Sequence, residues 1–508
     1  MKKLLLCLLS VCLLCACNEE KDDPVTKIQY IVILDGVSFN IDEEAYLDLT
    51  KYFEYLETYY ATLENVNEQI DKIKSILEEL LSQYITNKDD VIDYEELEKA
   101  IEQMANSYQN PDSSEPNIPT LKEMTQAPLT LFVYLVADTN IKTDLRNNIK
   151  HMFKGLSDMD KRATLLVYWD GGGSDTYFET SPCILKFETD GLGNVNGVAS
   201  RDSMYTIRQV ADFAETVKSY PSMKSTDKSA MTAILKDMAS FAPTDRYGFV
   251  AGSHGSAWLN SIYGYKASRA FGQDGAGDFT ITTPDMADAI ENAGLHFDFL
   301  LFDACMMGTV EVCYDFREVV DYLIVSALDV PAPGFPYQHM LSSLYEGEVS
   351  GYVDVCDTYV NYYRTYSGGW GSMALVDSKQ MEGLASAIKE QIAAHKDVIA
   401  DYNPIGKLQH YGLNTSATGF KYVSFDMGQF ISVLNDGILP ESFSAQLDKT
   451  ILHKTCLENT TYYRIEAEKF CGLGMYIPLE TRPNWNVYYE TIDWYDAAGW
   501  NQVDFNWN

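Results

Sequence analysis

Two segments carry side chains able to do covalent chemistry, each just past an apolar run. The first is Tyr247-Gly248-Phe249-Val250-Ala251-Gly252-Ser253-His254-Gly255-Ser256, and the second is Phe299-Leu300-Leu301-Phe302-Asp303-Ala304-Cys305-Met306-Met307-Gly308. A thiolate attacks a carbonyl carbon, and an imidazole close by manages the protons of the thiol and the leaving amine. Free backbone N–H groups then hold the oxyanion. The small residues around His254 and Cys305 let a substrate backbone come near. A lone buried cysteine is usually an inert small hydrophobe. It is the pairing of two apolar runs, each ending in a reactive side chain, that points to catalysis.

Such a pair must be delivered by neighbouring strands. Short β-rich runs at 131–136, 165–169, 247–251, 298–302, 322–326 and 372–376 alternate with helical patterns near 142–155, 207–220, 227–241, 283–293, 308–320 and 378–395. This alternation predicts an α/β domain with a mostly parallel sheet covered on both faces. Active sites in such sheets gather beyond the carboxyl ends of the strands, where both motifs fall. Upstream, 27–34 reads as a strand and 41–85 as one or two amphipathic helices. Asp93 and Glu96 form a capping-box pattern opening a helix to about Gln109. Asn110 to Pro119 reads as a linker, and Phe470 to Pro478 as a further strand.

The N-terminus specifies the compartment. Lys2 and Lys3 precede the apolar run Leu4 to Leu14, which is too short to span a bilayer. The ending Leu14-Cys15-Ala16-Cys17 resembles a bacterial lipobox, with Cys17 as the lipidated residue. The acidic run Asn18 to Asp23 is similar to the tag that follows the anchor of surface lipoproteins in some Bacteroidetes. The expectation is an outer membrane lipoprotein facing the periplasm or the cell surface, touching the membrane only through its lipid. A net charge of -36 over 508 residues argues against nucleic acid as a partner and suits a cationic one.

Six cysteines follow the lipobox: Cys183, Cys305, Cys313, Cys356, Cys456 and Cys471. They show no zinc spacing, and a domain of this size needs no disulfide framework. His151, His254, His296, His339, His395, His410 and His453 are dispersed, with no HExxH pair, which excludes a familiar zinc hydrolase.

With these residues in view, Asp298 to Glu311 resembles the cysteine motif of the clostripain family, which shares a clan with the caspases, and Tyr247 to Trp258 resembles its His-Gly motif. Leu131 to Leu145, Ser326 to Tyr337, Gly472 to Pro478 and the aromatic tail through Trp500 match in order, so the likeness covers roughly 129 to 504. The resemblance implies a caspase-like α/β/α sandwich with a helical N-terminal region and an aromatic-rich C-terminal region. The implied division is a signal peptide at 1–17, an acidic tether and helical region at 18–126, a peptidase domain at 127–400, and a region at 401–508 that completes or packs on it.

The resemblance further implies Cys305 as nucleophile, His254 as its acid/base partner, and an oxyanion hole from the N–H groups of Gly255 and Cys305. It implies cleavage of proteins or peptides after Arg or Lys, with Asp303 and Asp329 at the acidic positions that would bind the cation. Relatives are often zymogens cut between His and Cys. Here Lys266 and Arg269, in a Gly- and Ser-containing stretch, are the candidate self-cleavage sites. Ser253, Ala257 and Met306 depart from the family pattern without removing the pair. Some relatives need calcium, and this chain has no dedicated calcium loop, so calcium stays an open cofactor. A different class of function is a surface peptide- or glycan-binding lipoprotein that keeps the fold without turnover, for which 35 tyrosines and 7 tryptophans would suit docking.

Overall fold

The computed structural model describes residues 29–59, 66–108, 118–173, 175–259, 271–275, 279–412 and 422–507. Cys17, the 110–117 part of the expected linker, Lys266 and Arg269 lie outside them. The chain forms two compact units, Met1–Gln126 and Ala127–Asn508.

In the first unit, β1 (Gln29–Leu34) and β2 (Val37–Asp42) form a hairpin. Its turn is Asp35-Gly36, both at positive φ, the backbone that a two-residue hairpin turn requires. Helices α1 (Glu43–Tyr59), α2 (Val66–Leu81), α3 (Tyr94–Tyr108) and α4 (Leu121–Thr125) accompany this sheet, and β3 (Val91–Ile92) pairs with β2. Apolar residues at helical spacing, among them Leu49, Leu56, Ile73, Leu77, Leu97 and Ile101, meet Val32, Phe39 and Ile41 in one core. The capping box opening α3 forms as the sequence predicts: Glu96 N–H donates to Asp93 at 2.9 Å, and Asp93 N–H to Glu96 at 3.3 Å.

The second unit is built on an eleven-stranded sheet. Its strands are β4 (Thr130–Val136), β5 (Ala163–Asp170), β6 (Cys183–Thr189), β7 (Asn194–Val195), β8 (Val198–Ala199), β9 (Glu215–Ser219), β10 (Tyr247–Gly252), β13 (Phe297–Asp303), β14 (Val320–Val325), β15 (Ser372–Asp377) and β17 (Ile451–Cys456). The ribbon β11 (Phe271–Asp274) with β12 (Phe279–Ile281), and the bridge of β16 (Phe425–Asp426) with β18 (Gly474–Met475), stand apart from it. The central run β14-β13-β10-β4-β5 is parallel throughout. The flanks β15-β17 and β6-β7-β8, with β9 on β6, are antiparallel.

Side-chain alternation along the strands sorts the core into two layers. Leu131, Val133 and Leu135 face one layer with α5 (Lys142–Asp158), α10 (Tyr337–Tyr345) and α11 (Val349–Thr365). Phe132, Tyr134 and Val136 face the other with α7 (Lys228–Phe241), α8 (Thr283–Ala293), α9 (Val310–Asp315) and α12 (Met381–Ile399). This is the mostly parallel sheet covered on both faces that the strand-helix alternation predicted, and the α/β/α sandwich that the resemblance implied. Since β17 comes from the C-terminal region, that region supplies an edge of the sheet.

Three expected elements differ. The helix expected over 207–220 stops at Phe213 as α6 (Ile207–Phe213), because Glu215–Ser219, with Thr216 and Val217 β-branched, pairs with β6 instead. The helix expected over 308–320 is only α9, because the Val319 carbonyl accepts the Phe297 N–H at 3.0 Å and Val320 opens β14. Within Phe470–Pro478 only Gly474–Met475 is extended in a ladder, paired to two residues of β16.

Candidate active site

The geometry begins with register. Gly252, the last residue of β10, stands opposite Asp303, the last residue of β13, in a parallel ladder. His254 and Cys305 each follow two residues beyond these partners, so the two reactive side chains leave the sheet at one level on neighbouring strands. The two loops touch through their backbones. A Cβ on Gly255 would lie 2.6 Å from the Cys305 carbonyl oxygen, so only glycine fits there without displacing the Cys305 loop. Among the described residues, no hydrogen bond engages the N–H of Gly255 or of Cys305. Two backbone donors on these adjoining loops are therefore unspent.

Both loops are braced. Ser253 is 3 % exposed. Its hydroxyl donates to the Val136 carbonyl at 2.8 Å and accepts the Gln273 N–H at 3.2 Å, tying β10 to β4 and β11. The Gly272 N–H donates to the His254 carbonyl at 2.9 Å. On the other loop, Met306 N–H donates to Leu328 at 3.0 Å and Gly308 N–H to Ser326 at 2.7 Å. Ala257 and Met306 both adopt left-handed backbone, φ 57° and 60°, a conformation uncommon for residues with a side chain. Thus Ala257 and Met306 stand where the chain turns sharply, close to His254 and Cys305.

The thiol of Cys305 points to the loop after β14, with its sulfur 3.7 Å from the Val330 carbonyl and next to the Asp329 carboxylate. Burial and the Asp329 charge push the thiol well above its ordinary value, so this arrangement keeps the thiol protonated. Asp329 accepts the Tyr463 hydroxyl, and its carbonyl accepts the Trp370 indole N–H at 2.9 Å. His254 Nε2 lies 2.8 Å from Asn140 Oδ1.

Asp303 is 5 % exposed, and burial pushes its carboxyl up to about 6. Tyr337 donates to it at 2.9 Å and Asn148 at 3.1 Å. Gly334 is at φ 71°, and a Cβ there would lie 2.7 Å from the carboxylate. Two buried acceptor or donor atoms in this neighbourhood, Asn148 Oδ1 and the Tyr359 hydroxyl, have no hydrogen-bond partner. Burial first, and then the neighbouring Tyr363 and Asp303, push the Tyr359 hydroxyl well above its ordinary value.

The structure therefore brings Gly255, Asp303, Cys305 and Asp329 together, with His254 next to Gly255 on the neighbouring loop and its ring turned to Asn140. Asn140, Asn148, Tyr337, Tyr359 and Tyr463 are not singled out by the sequence; Asn140 and Tyr337 lie inside the matched segments Leu131 to Leu145 and Ser326 to Tyr337, whereas Asn148, Tyr359 and Tyr463 belong to none. Three further carboxylates near the strand ends are already engaged: Asp170 accepts the Ser225 hydroxyl, Asp274 the Ser225 N–H at 2.6 Å, and Asp138 pairs with Lys142 at 3.7 Å. Among the described residues, no group of three acidic, histidine or cysteine side chains is arranged to hold a metal.

Comparison with known proteins agrees with this architecture. Among solved structures, the chain is similar to an inactive zymogen C11 protease from Parabacteroides distasonis, with TM-score 0.58 and 23 % identity over 74 % of this chain and 99 % of that one. It is also similar to a secreted C11 cysteine protease from Bacteroides thetaiotaomicron in complex with an irreversible peptide inhibitor, with TM-score 0.57 and 24 % identity over 74 % and 99 %. At these identities the likeness speaks for the fold. No curated protein matches. Residues 133–503 match the clostripain family of C11 peptidases, most of the chain, and the protein belongs to that family of cysteine peptidases.

Proposed function

We propose that this chain is a secreted, lipid-anchored cysteine endopeptidase that cleaves after Arg or Lys through Cys305 and His254. The observation that carries this reading is the Gly252–Asp303 register, which starts the His254 and Cys305 loops at one level on neighbouring parallel strands and so supports their acting as a pair. In the reaction, Cys305 sulfur bonds to the scissile carbonyl carbon and its proton passes to His254. The oxyanion is held by the Gly255 and Cys305 N–H groups. The C–N bond breaks as the leaving amine takes that proton, and water then releases the acyl group.

Two carboxylates flank the nucleophile, and orphaned buried atoms of Asn148 and Tyr359 sit in the same neighbourhood. A cationic side chain would satisfy both carboxylates and the Asn148 oxygen, which supports Arg or Lys next to the cleaved bond. The stored, protonated thiol supports a zymogen reading, with activation by cleavage after Lys266 or Arg269. Cys17 would carry the lipid anchor, in an outer membrane facing the periplasm or the cell surface.

The test is hydrolysis of short fluorogenic peptides ending in Arg, Lys or Asp, by the chain without its signal and after limited proteolysis, alongside Cys305→Ala. Cleavage after Arg or Lys that disappears in the variant is the expected result. No cleavage of any peptide would overturn the reading in favour of a binding lipoprotein. Self-processing fails if fully active protein stays one band on a denaturing gel, and anchoring fails if Cys17→Ser leaves membrane fractionation unchanged.

A further inference from the structure

The imidazole of His254 is gripped from the side away from the nucleophile. β10, which delivers His254, lies between β13, which delivers Cys305, and β4. The turn leaving β4 carries Asn140, an exposed residue whose Oδ1 lies 2.8 Å from His254 Nε2. The polarity of this contact is set by its neighbours. The Ile141 N–H donates to Thr139 Oγ1 at 3.3 Å, which leaves the Thr139 hydroxyl proton for Asn140 Oδ1 at 3.1 Å. A carboxamide oxygen only accepts, so Nε2 carries a proton. The turn itself is pinned, with Thr139 N–H donating to Ala137 at 2.8 Å and Lys142 N–H to Thr139 at 3.3 Å.

We propose that Asn140 is a positioning residue that fixes the orientation and tautomer of His254, making Nδ1 the nitrogen that exchanges protons. This deepens the peptidase reading and rests on it for the role of His254. The Nε2–H bond to Asn140 persists throughout the cycle. Nδ1 takes the Cys305 proton as the S–C bond forms, gives it to the leaving amine as the C–N bond breaks, takes one from water as the O–C bond replaces S–C, and returns it to the released sulfur. The second ring nitrogen of a histidine commonly decides which tautomer the first presents. Because the partner is a neutral amide, it orients the ring without adding a negative charge that would raise the basicity of the imidazole.

The test uses Asn140→Ala and Asn140→Asp in the activated full chain without its signal, with wild type measured in parallel to decide the peptidase reading separately. Asn140→Ala should lower kcat by about ten- to hundredfold with KM within about threefold, from loss of ring orientation. Asn140→Asp should move the imidazole-controlled limb of the kcat/KM pH profile to higher pH. Alkylation of Cys305 by iodoacetamide, which needs no turnover, should change its pH profile in Asn140→Asp as well. Asn140 is exposed, so melting temperatures should match wild type. An Asn140→Ala kcat within about threefold of wild type would overturn the proposal. So would an Asn140→Asp variant whose pH profiles for turnover and alkylation both match wild type, because a merely structural residue would leave them unmoved.

Discussion

Replacing Gly255 by alanine tests the contact between the two loops most directly. The added Cβ would sit 2.6 Å from the Cys305 carbonyl oxygen, where ordinary contact begins at 3.4 Å, so about 0.8 Å of separation must be found. It would also meet Ala304 Cβ and Met307 Sδ at 3.0 Å each. The methionine can swing aside. The carbonyl cannot, because Met306 and Gly308 anchor its loop to Leu328 and Ser326. Forcing a methyl into a packed site costs about 1–3 kcal/mol, a loss of a few degrees in melting temperature. The kinetic cost is larger. A shift of about 1 Å in catalytic geometry costs on the order of a hundredfold, and loss of one oxyanion donor about 10²–10³-fold. The expectation is thus a kcat reduced by at least a hundredfold, with KM little changed, measured well below the melting midpoint. A kcat within about threefold of wild type would refute the reasoning, since the loops would then not meet where the geometry says.

Asp329→Asn removes a negative charge from beside the Cys305 thiol. A full charge about 4 Å away is worth up to about 4 kcal/mol at an effective dielectric of 20, and burial of Asp329 itself discounts that. Alkylation of Cys305 at pH 7 should therefore speed up by about tenfold, one factor of ten per 1.4 kcal/mol, and an unchanged rate would contradict the stored-thiol account. Asp303→Asn keeps the shape of the buried site but removes its charge, and should lower kcat/KM for Arg and Lys peptides by about a hundredfold or more. Equal cleavage by both forms would remove Asp303 from substrate binding. Glu311, which accepts the Tyr476 N–H at 2.7 Å and the Tyr489 hydroxyl at 2.9 Å, is pushed up to about 7 by burial. A carboxyl raised in the folded state holds a proton that the unfolded chain has lost between about pH 4.5 and 7. Its contribution to stability is full below that window and lost across it. The melting temperature should fall more steeply from pH 5 to pH 8 in wild type than in Glu311→Gln, and parallel slopes would count against this assignment.

Short-range regularities were enough to read much of this protein. Continuous apolar runs such as Thr130–Val136, buried along their whole length, mark central parallel strands by composition alone. Asp93 and Glu96 announce a helix start because a capping box is completed within four residues. His254 and Cys305 are legible because each sits beside the strand that delivers it. What the sequence could not yield depends on partners far apart in the chain. Asn140 reaches His254 across 114 residues, Asn148 reaches Asp303 across 155, and Tyr463 reaches Asp329 across 134. No local pattern encodes such contacts, because they exist only once five parallel strands are in register and two helix layers close over them. The same holds for Glu215–Ser219, whose helical spacing lost to a partner strand supplied by β6, and for the direction of the Cys305 thiol, set by a carbonyl and a carboxylate on the loop after the next strand. Sequence determined which residues could react and which strands would carry them. Tertiary structure alone decided what surrounds them, because burial and charge act through space rather than along the chain.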